Sequence, residues 1–285
     1  MKEIFRNIKI VPVKKVLIHE RTVPKWVQNL ASSLENSGIQ KNPIIVHKTK
    51  SNYIVLDGMH RVEAFKLLEC RDIMVYEVDY YDKNIELGGW DGIILDRFDI
   101  LDVMHRIFPK NIEIRKERRT QDMVKLLKEK KILFGIKDRS LNKYSLRLKE
   151  KKLPAVKENR YLDLVISALE RLEHNIDNRN HKILYVPEHT SEADFQTLKA
   201  STLIYRPVFT KKDIIQRTLT GKIFPRKSTR HLIPGRPLRV DINLTILKEN
   251  ISLAVKNQLL ASHLMWCFKS NRIRLYPESV YVFAD

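Results

Sequence analysis

The stretch Tyr53-Ile54-Val55-Leu56-Asp57-Gly58-Met59-His60-Arg61-Val62-Glu63-Ala64-Phe65-Lys66-Leu67-Leu68 constrains the fold more than any other part of this chain. Tyr53 to Leu56 is β-branched and apolar and reads as a strand. Asp57-Gly58 breaks it. From His60 onward Val62, Phe65 and Leu68 stand at helical spacing, with Ala64 beside them. A short strand therefore turns on a glycine straight into a helix. Such a turn presents free backbone N–H groups and the positive end of a helix dipole, and both attract phosphate. His60 and Arg61 fall in the first helical turn, where their side chains can close over an anion, and arginine adds a planar donor fork. Asp57, at the strand end, is a natural ligand for Mg²⁺ on a nucleotide. The plainer alternative is a tight turn carrying a solvated His-Arg pair.

A chain of 285 residues can bury a sizeable core and form one or two domains. No apolar run is long enough to cross a bilayer, and Met1 to Arg6 is not followed by the apolar segment of a signal peptide. The expected location is the cytoplasm, with no membrane partner. Cys70 and Cys267 are the two cysteines, too few for a disulfide framework. No CxxC or HExxH ligand pair occurs, so a dedicated zinc or iron site is not expected. The formal net charge of +19 favours anionic partners such as nucleotides, nucleic acid or an acidic protein surface.

Taken in order, Ile8 to Val13 reads as a strand and Val16-Leu17-Ile18 as another, with Glu20 just beyond. Pro24 opens a helix over 24–37, with Trp26, Leu30 and Leu34 four apart and Gly38 as its stop. Ile44 to His47 and Ile73 to Val78 are strands. Leu87-Gly88-Gly89-Trp90 reads either as a hairpin turn with a buried Trp or as a place where backbone passes close to a neighbour and presents Trp90.

The segment 109–160 is strongly basic. Within it Gln121 to Lys131 reads as a helix and Ile132 to Ile136 as a strand, while Tyr144 to Lys152 is ambiguous. Its charge is a solvated face or a nucleic-acid surface. Helices are expected at Leu162 to Leu172, at Ser191 to Leu198 with Ser191 as cap, and at Lys211 to Leu219, ended by Gly221. Strands are expected at Lys182 to Val186 and Leu203 to Tyr205. The tail reads as a helix over 251–268 and a strand around Val280 to Phe283.

Between Phe224-Pro225 and Pro234 the chain reads as a rigid loop. It places Lys227, Ser228, Thr229, Arg230 and His231 in succession. All five can donate hydrogen bonds, and together they suit phosphate or carboxylate.

Asp57-Gly58-Met59-His60-Arg61 resembles the nucleotide-binding turn of the ParB/sulfiredoxin fold. Leu17-Ile18-His19-Glu20 and Asn42-Pro43-Ile44-Ile45-Val46 stand where that fold has them. Within the fold the chain most resembles the free L-serine kinases, which include an archaeal ADP-dependent branch and a bacterial, siderophore-associated SbnI-like branch. The likeness is clear over 8–80 and returns at 217–247. Lys227 to His231 matches the archaeal K-[ST]-T-R-H loop, and Arg236-Pro237-Leu238 continues it.

The resemblance implies an α+β (α/β) protein. A ParB/sulfiredoxin-like nucleotide-binding domain over 1–82 would be followed by a mixed α+β domain over 83–285, with an active-site cleft between them. It implies Glu20 as the base and the Asp57–Arg61 turn as holder of the nucleotide phosphates. Trp90 and Lys227 to His231 would lie at the substrate. It implies Mg²⁺, ATP or ADP as donor, and L-serine as acceptor, in cysteine or siderophore biosynthesis. Phosphoryl transfer to a hydroxyl needs a phosphate cradle with metal, a base for the alcohol, and positive charge for the transition state; these residues would supply all three.

The Walker A and protein-kinase motif sets are absent. Met59 stands where sulfiredoxin would have its cysteine. The rival is a ParB-like DNA-binding regulator or partition protein with a nucleotide switch, and weak or regulatory DNA binding is a possible addition to the kinase. Ser140 to Leu148, followed by Leu153-Pro154, faintly resembles a partition protein's recognition-helix region. The apolar run Ile132 to Ile136, however, separates it from the preceding helix by more than a helix-turn-helix allows.

Overall fold

The computed structural model describes residues 2–149 and 158–276. The chain divides into two units: Met1–Leu17, Thr22–Asp79 and everything from Gly235 form the first, and Ile18–Arg21 with Tyr80–Pro234 form the second. Ile18–Arg21 and the stretch from Gly235 belong to the opposite unit from the one their sequence position implies.

In the first unit α1 (Lys2–Asn7) leads into β1 (Ile8–Pro12), β2 (Val16–Leu17), α2 (Pro24–Ser37), β3 (Ile39–Gln40), β4 (Ile44–Lys48), β5 (Tyr53–Asp57), α3 (Met59–Leu67) and β6 (Asp72–Glu77). Five strands pair in the order β1-β6-β4-β5-β2. β4 is antiparallel to β5 and parallel to β6, and β2 is parallel to β5. Ile44, Ile54, Val55, Phe65, Ile73 and Val75 are fully buried, each worth about 1.5–3 kcal/mol of apolar burial. Helix α2 starts with Pro24 in its first turn and stops where the Gly38 N–H reaches Leu34 O at 2.9 Å.

The second unit contributes β7 (Glu86–Gly88), β8 (Trp90–Ile94), α4 (Ile100–Ile107), β9 (Ile112–Glu117), α5 (Thr120–Lys128), β10 (Phe134–Asp138) and β11 (Lys143–Leu148). After them come α6 (Glu158–Asp177), β12 (Ile183–Pro187), α7 (Ser191–Thr197), β13 (Thr202–Tyr205), α8 (Lys211–Leu219) and β14 (Arg230–Leu232). Six strands form an antiparallel sheet in the order β12-β8-β13-β10-β11-β9. Ile93, Met123, Ile132, Phe195, Leu203 and Tyr205 pack together in its core.

Several local readings change here. Residues 140–148 form a turn and then β11, paired to β9 and β10. A recognition helix at that place is therefore ruled out, because Leu146 and its strand neighbours find their partners in a sheet. Gly88-Gly89 is not a hairpin turn: β7 pairs with β14, while β8 pairs with β12 and β13. Ser191 is the first residue of α7 rather than its cap, and its hydroxyl donates to Asp91 Oδ2 at 2.7 Å. The Phe224–Pro234 loop contains the strand β14.

From Gly235 the chain supplies the first unit with β15 (Ile242–Asn243), α9 (Leu244–Lys248) and α10 (Leu253–Lys269). β15 pairs with β3. The fully buried Lys256 on α10 donates from Nζ to Asp72 Oδ2 at 2.6 Å and to Leu247 O at 3.2 Å. Asn257 receives the Ile10 N–H and donates to Ile10 O, both at 2.9 Å. The expected strand around Val280 to Phe283, and Leu153-Pro154, lie outside the described residues. Among those described, no helix is long and apolar enough to cross a membrane.

Candidate active site

In the first unit, β5 ends at Asp57 and Gly58 turns the chain into α3 at φ +104°. A Cβ at Gly58 would lie 2.9 Å from both Arg61 Nη2 and Ile44 Cδ1, so a side chain there would displace the ends of Arg61 and Ile44 as well as strain the backbone. Arg61 folds back beneath its own turn. Its Nη1 donates to Asn42 O at 3.0 Å and Pro43 O at 3.3 Å, and its Nη2 to Asp57 Oδ2 at 3.2 Å. Burial lowers the Arg61 pKa; the Asp57 charge opposes this and the Arg236 charge adds to it. Arg236, from beyond the second unit's last residue, reaches Asp57 Oδ2 at 3.5 Å.

His60 Nε2 accepts the Val23 N–H at 3.0 Å, and its ring lies 5.4 Å from that of Trp26. His60 thus tethers the start of α2, with its proton on Nδ1 when neutral. Gly58 provides no side-chain cap for α3, so the first-turn N–H groups of Met59, His60 and Arg61 precede the intrahelical ladder.

The second unit gathers the other expected residues. Arg21 N–H donates to Phe224 O at 2.9 Å and Phe224 N–H to His19 O at 2.7 Å, which pairs the Glu20 segment with the start of the 224–234 loop. The buried Glu20 carboxylate then grips that loop. Oε2 accepts the Lys227 N–H at 2.9 Å, and Oε1 accepts both the Thr229 N–H at 2.6 Å and the Thr229 hydroxyl at 2.5 Å. Lys227 adopts φ +56°, a left-handed conformation that a side chain disfavours. It is held from both sides, since its N–H binds Glu20 and its carbonyl accepts Arg206 Nη1 at 2.7 Å.

Ser228 and Thr229 turn inward. The Ser228 hydroxyl donates to Pro225 O at 2.8 Å, and the Thr229 hydroxyl faces Glu20. Neither side chain is presented as a substrate donor in this arrangement. Lys227 and Arg230 approach Trp90 instead: Lys227 Nζ stands 4.8 Å and Arg230 Cζ 5.7 Å from its ring. The indole Nε1 donates to Thr229 O at 2.9 Å. His231 Nε2 takes the Tyr80 hydroxyl at 2.6 Å, and the His19 and His231 rings meet edge to face at 5.4 Å.

Gly88, two residues before Trp90, makes room for Glu188. Its Oε2 accepts the Gly89 N–H at 3.0 Å, and a Cβ on Gly88 would come within 2.6 Å of its Oε1. The next residue, Asp91, is buried and accepts the Ser191 hydroxyl and, at 2.9 Å, the Arg206 N–H. Burial nevertheless pushes its pKa up to about 6.

Glu20 therefore stands with the loop it was expected to serve, and Trp90 stands with them. Sequence reasoning did not select His19, Tyr80, Asp91, Glu188 or Arg206. His19 lies inside the recognised Leu17–Glu20 motif, but single histidines and tyrosines carry no spacing signal. Asp57, at the end of β5, is the carboxylate expected to hold a metal. No cluster of three or more metal-binding side chains exists among the described residues. Asp57 Oδ1 accepts no protein hydrogen bond among them, which fits a cation carried mainly by phosphate oxygens and water.

The ParB N-terminal domain model matches residues 2–85. An ATP-dependent L-serine kinase of Staphylothermus marinus is 25% identical over 241 residues, 84% of this chain and 90% of that protein. The ADP-dependent L-serine kinase SerK of Thermococcus kodakarensis is 20% identical over 236 residues, 82% of this chain and 90% of that one. Over most of its length the chain is similar to free serine kinases. A solved structure from this family, SbnI with a C-terminal truncation from Staphylococcus aureus, covers 94% of this chain and 100% of its own at 18% identity, with a TM-score of 0.73. At that identity the likeness establishes the fold. The segment that Glu20 grips here is the start of the donor-rich Lys227–His231 loop.

Proposed function

We propose that this protein phosphorylates free L-serine to O-phospho-L-serine, with ATP or ADP as donor. The observation that carries the reading is the Glu20 carboxylate clasping the Lys227–Thr229 backbone, with Lys227 and Arg230 both at the Trp90 ring. A carboxylate and two cations in one neighbourhood support this reading, because transfer to an alcohol from an anionic donor calls for a base and positive charge. The named activities of the relatives supply the substrate class.

The first-turn N–H groups of α3, at Met59, His60 and Arg61, would receive the nucleotide phosphates beyond Gly58, with Arg61 bracing the turn. Asp57 would hold Mg²⁺ together with phosphate oxygens, and the ion would neutralise charge developing on the transferred group. Glu20 would take the serine proton: the O–H bond breaks, an Oε–H bond forms, and the serine oxygen attacks the terminal phosphorus as the bond to the nucleotide breaks. Lys227 and Arg230 would hold the serine carboxylate and the phosphoryl group. His231 and Trp90 would complete the substrate site, while Ser228 and Thr229 shape the loop that carries it. A cytoplasmic location and a place in cysteine or siderophore synthesis accord with a soluble small substrate.

Incubation with L-serine, Mg²⁺ and either ATP or ADP, read by mass spectrometry, tests the proposal. O-phosphoserine with one donor supports it and identifies that donor. No product with either overturns it.

A further inference from the structure

Thr229 Oγ1 sits between two partners, Glu20 Oε1 at 2.5 Å and His19 Nε2 at 2.8 Å. The hydroxyl has one proton to give. A carboxylate can only accept, so that proton points to Glu20. Thr229 must then accept from His19, which requires a proton on His19 Nε2. His19 is fully buried, and its ring is held edge to face against Phe224 at 6.5 Å and against His231. The direction of the whole chain is thereby fixed: His19 Nε2–H to Thr229 Oγ–H to Glu20 Oε1.

The two carboxylate oxygens are consequently unequal. Oε1 accepts two hydrogen bonds and Oε2 accepts one. Donors favour the carbonyl oxygen of a carboxylic acid over its hydroxyl oxygen. When Glu20 takes a proton, Oε1 keeps both donors as the C=O, and the new O–H forms on Oε2.

We infer that His19, acting through Thr229, is a positioning residue that assigns the base role to a single oxygen of Glu20, Oε2. This rests on the kinase reading above. The step balances: the serine O–H breaks, Oε2–H forms, and neither His19 nor Thr229 gains or loses a proton.

Two measurements test it. In the wild-type protein labelled with ¹⁵N-histidine, two-bond ¹H–¹⁵N spectra read the tautomer of each ring, and His19→Gln assigns the His19 signals by their loss. The expected result is a neutral ring protonated on Nε2, with its Nε2–H signal moving in Thr229→Val. A proton on Nδ1 alone overturns the inference whatever the enzyme does.

In the serine kinase assay, His19→Leu and Thr229→Val should each lower kcat by about 10- to 100-fold while KM for serine and nucleotide affinity stay within about threefold. The double variant should be no worse than Thr229→Val alone. His19→Gln, which retains a donor, should recover about tenfold over His19→Leu. Additive losses, or changes confined to KM, would reduce His19 to a packing residue. Thr229→Val keeps the volume of threonine, so it reads the chain even if His19→Leu does not fold. If the wild-type protein makes no phosphoserine, the kinase reading fails, and the tautomer measurement still decides the hydrogen-bond chain.

Discussion

Glu20 and Thr229, 209 residues apart, are joined by two hydrogen bonds to one carboxylate oxygen, from the Thr229 N–H at 2.6 Å and its hydroxyl at 2.5 Å. A third, from the Lys227 N–H, reaches the other oxygen at 2.9 Å. A group held this way cannot be replaced by its amide without loss. Glu20→Gln must turn an NH₂ toward a backbone N–H, leaving buried donors facing each other.

Under the proposed reaction, Glu20→Gln should therefore act twice. Loss of the base should lower kcat by roughly 10²–10⁴. The mismatched donors should cost about 1–3 kcal/mol of stability. Nucleotide affinity, measured by calorimetry, should stay near wild type. A stable variant with full turnover would remove Glu20 from the chemistry.

At the other turn, Gly58→Ala meets two obstacles, the left-handed backbone and contacts at 2.9 Å with Arg61 and Ile44. Gly38→Ala meets only the first, since nothing lies within 4 Å of its added Cβ. Thermal melts should show Gly38→Ala losing about 1–2 kcal/mol and Gly58→Ala clearly more. Equal losses would mean that Arg61 moves aside at no cost.

Arg61→Ala leaves the carbonyls of Asn42 and Pro43 and the Asp57 carboxylate without their donor. If the turn binds the nucleotide, affinity should fall by on the order of 1.5–3 kcal/mol. Unchanged affinity in calorimetry, with the fold intact, would place the phosphates elsewhere.

Asp91 gives a pH signature. Its pKa is raised by burial from 3.8 to about 6, so between these values the folded chain binds more protons than the unfolded one. Stability contributed by protonated Asp91 is full below about pH 4 and is lost as pH rises through about 6. The total is on the order of 2–3 kcal/mol. In Asp91→Asn this part of the slope should vanish, because an amide does not titrate, while it can still accept from Arg206 N–H and donate to Ser191. Denaturant melts of both proteins from pH 4 to 7 check this; parallel curves would refute it.

Lys256→Met should cost about 3–5 kcal/mol, because Asp72 would remain buried without its cation. Replacing Asp72 by Leu in the same chain should recover most of that loss. If the double variant is the less stable, the pair is worth more than its desolvation.

What the sequence determined by itself is local. Helix α2, from Pro24 to its stop at Gly38, follows from spacing and caps. The passage from β5 through Gly58 into α3 does too, because one residue type admits the turn. The Lys227–His231 motif was legible as a donor-rich loop. The tertiary structure decided how these pieces are used. Arg61 points back because the carbonyls of Asn42 and Pro43 lie beneath the turn. The Ser228 and Thr229 hydroxyls point inward because Pro225 and Glu20 accept them. Ser191 falls one residue inside α7, after Thr190, and its hydroxyl turns to Asp91. Residues 140–148 are a strand because β9 and β10 offer partners on both sides. The segment from Gly235 returns to the first unit because Lys256 finds Asp72 there. Apart from the local Ser228–Pro225 bond and the β10–β11 hairpin, these depend on partners tens to hundreds of residues away. Periodicity and capping act over a few residues, so they fix elements and turns, and only folding determines which distant acceptor each donor meets.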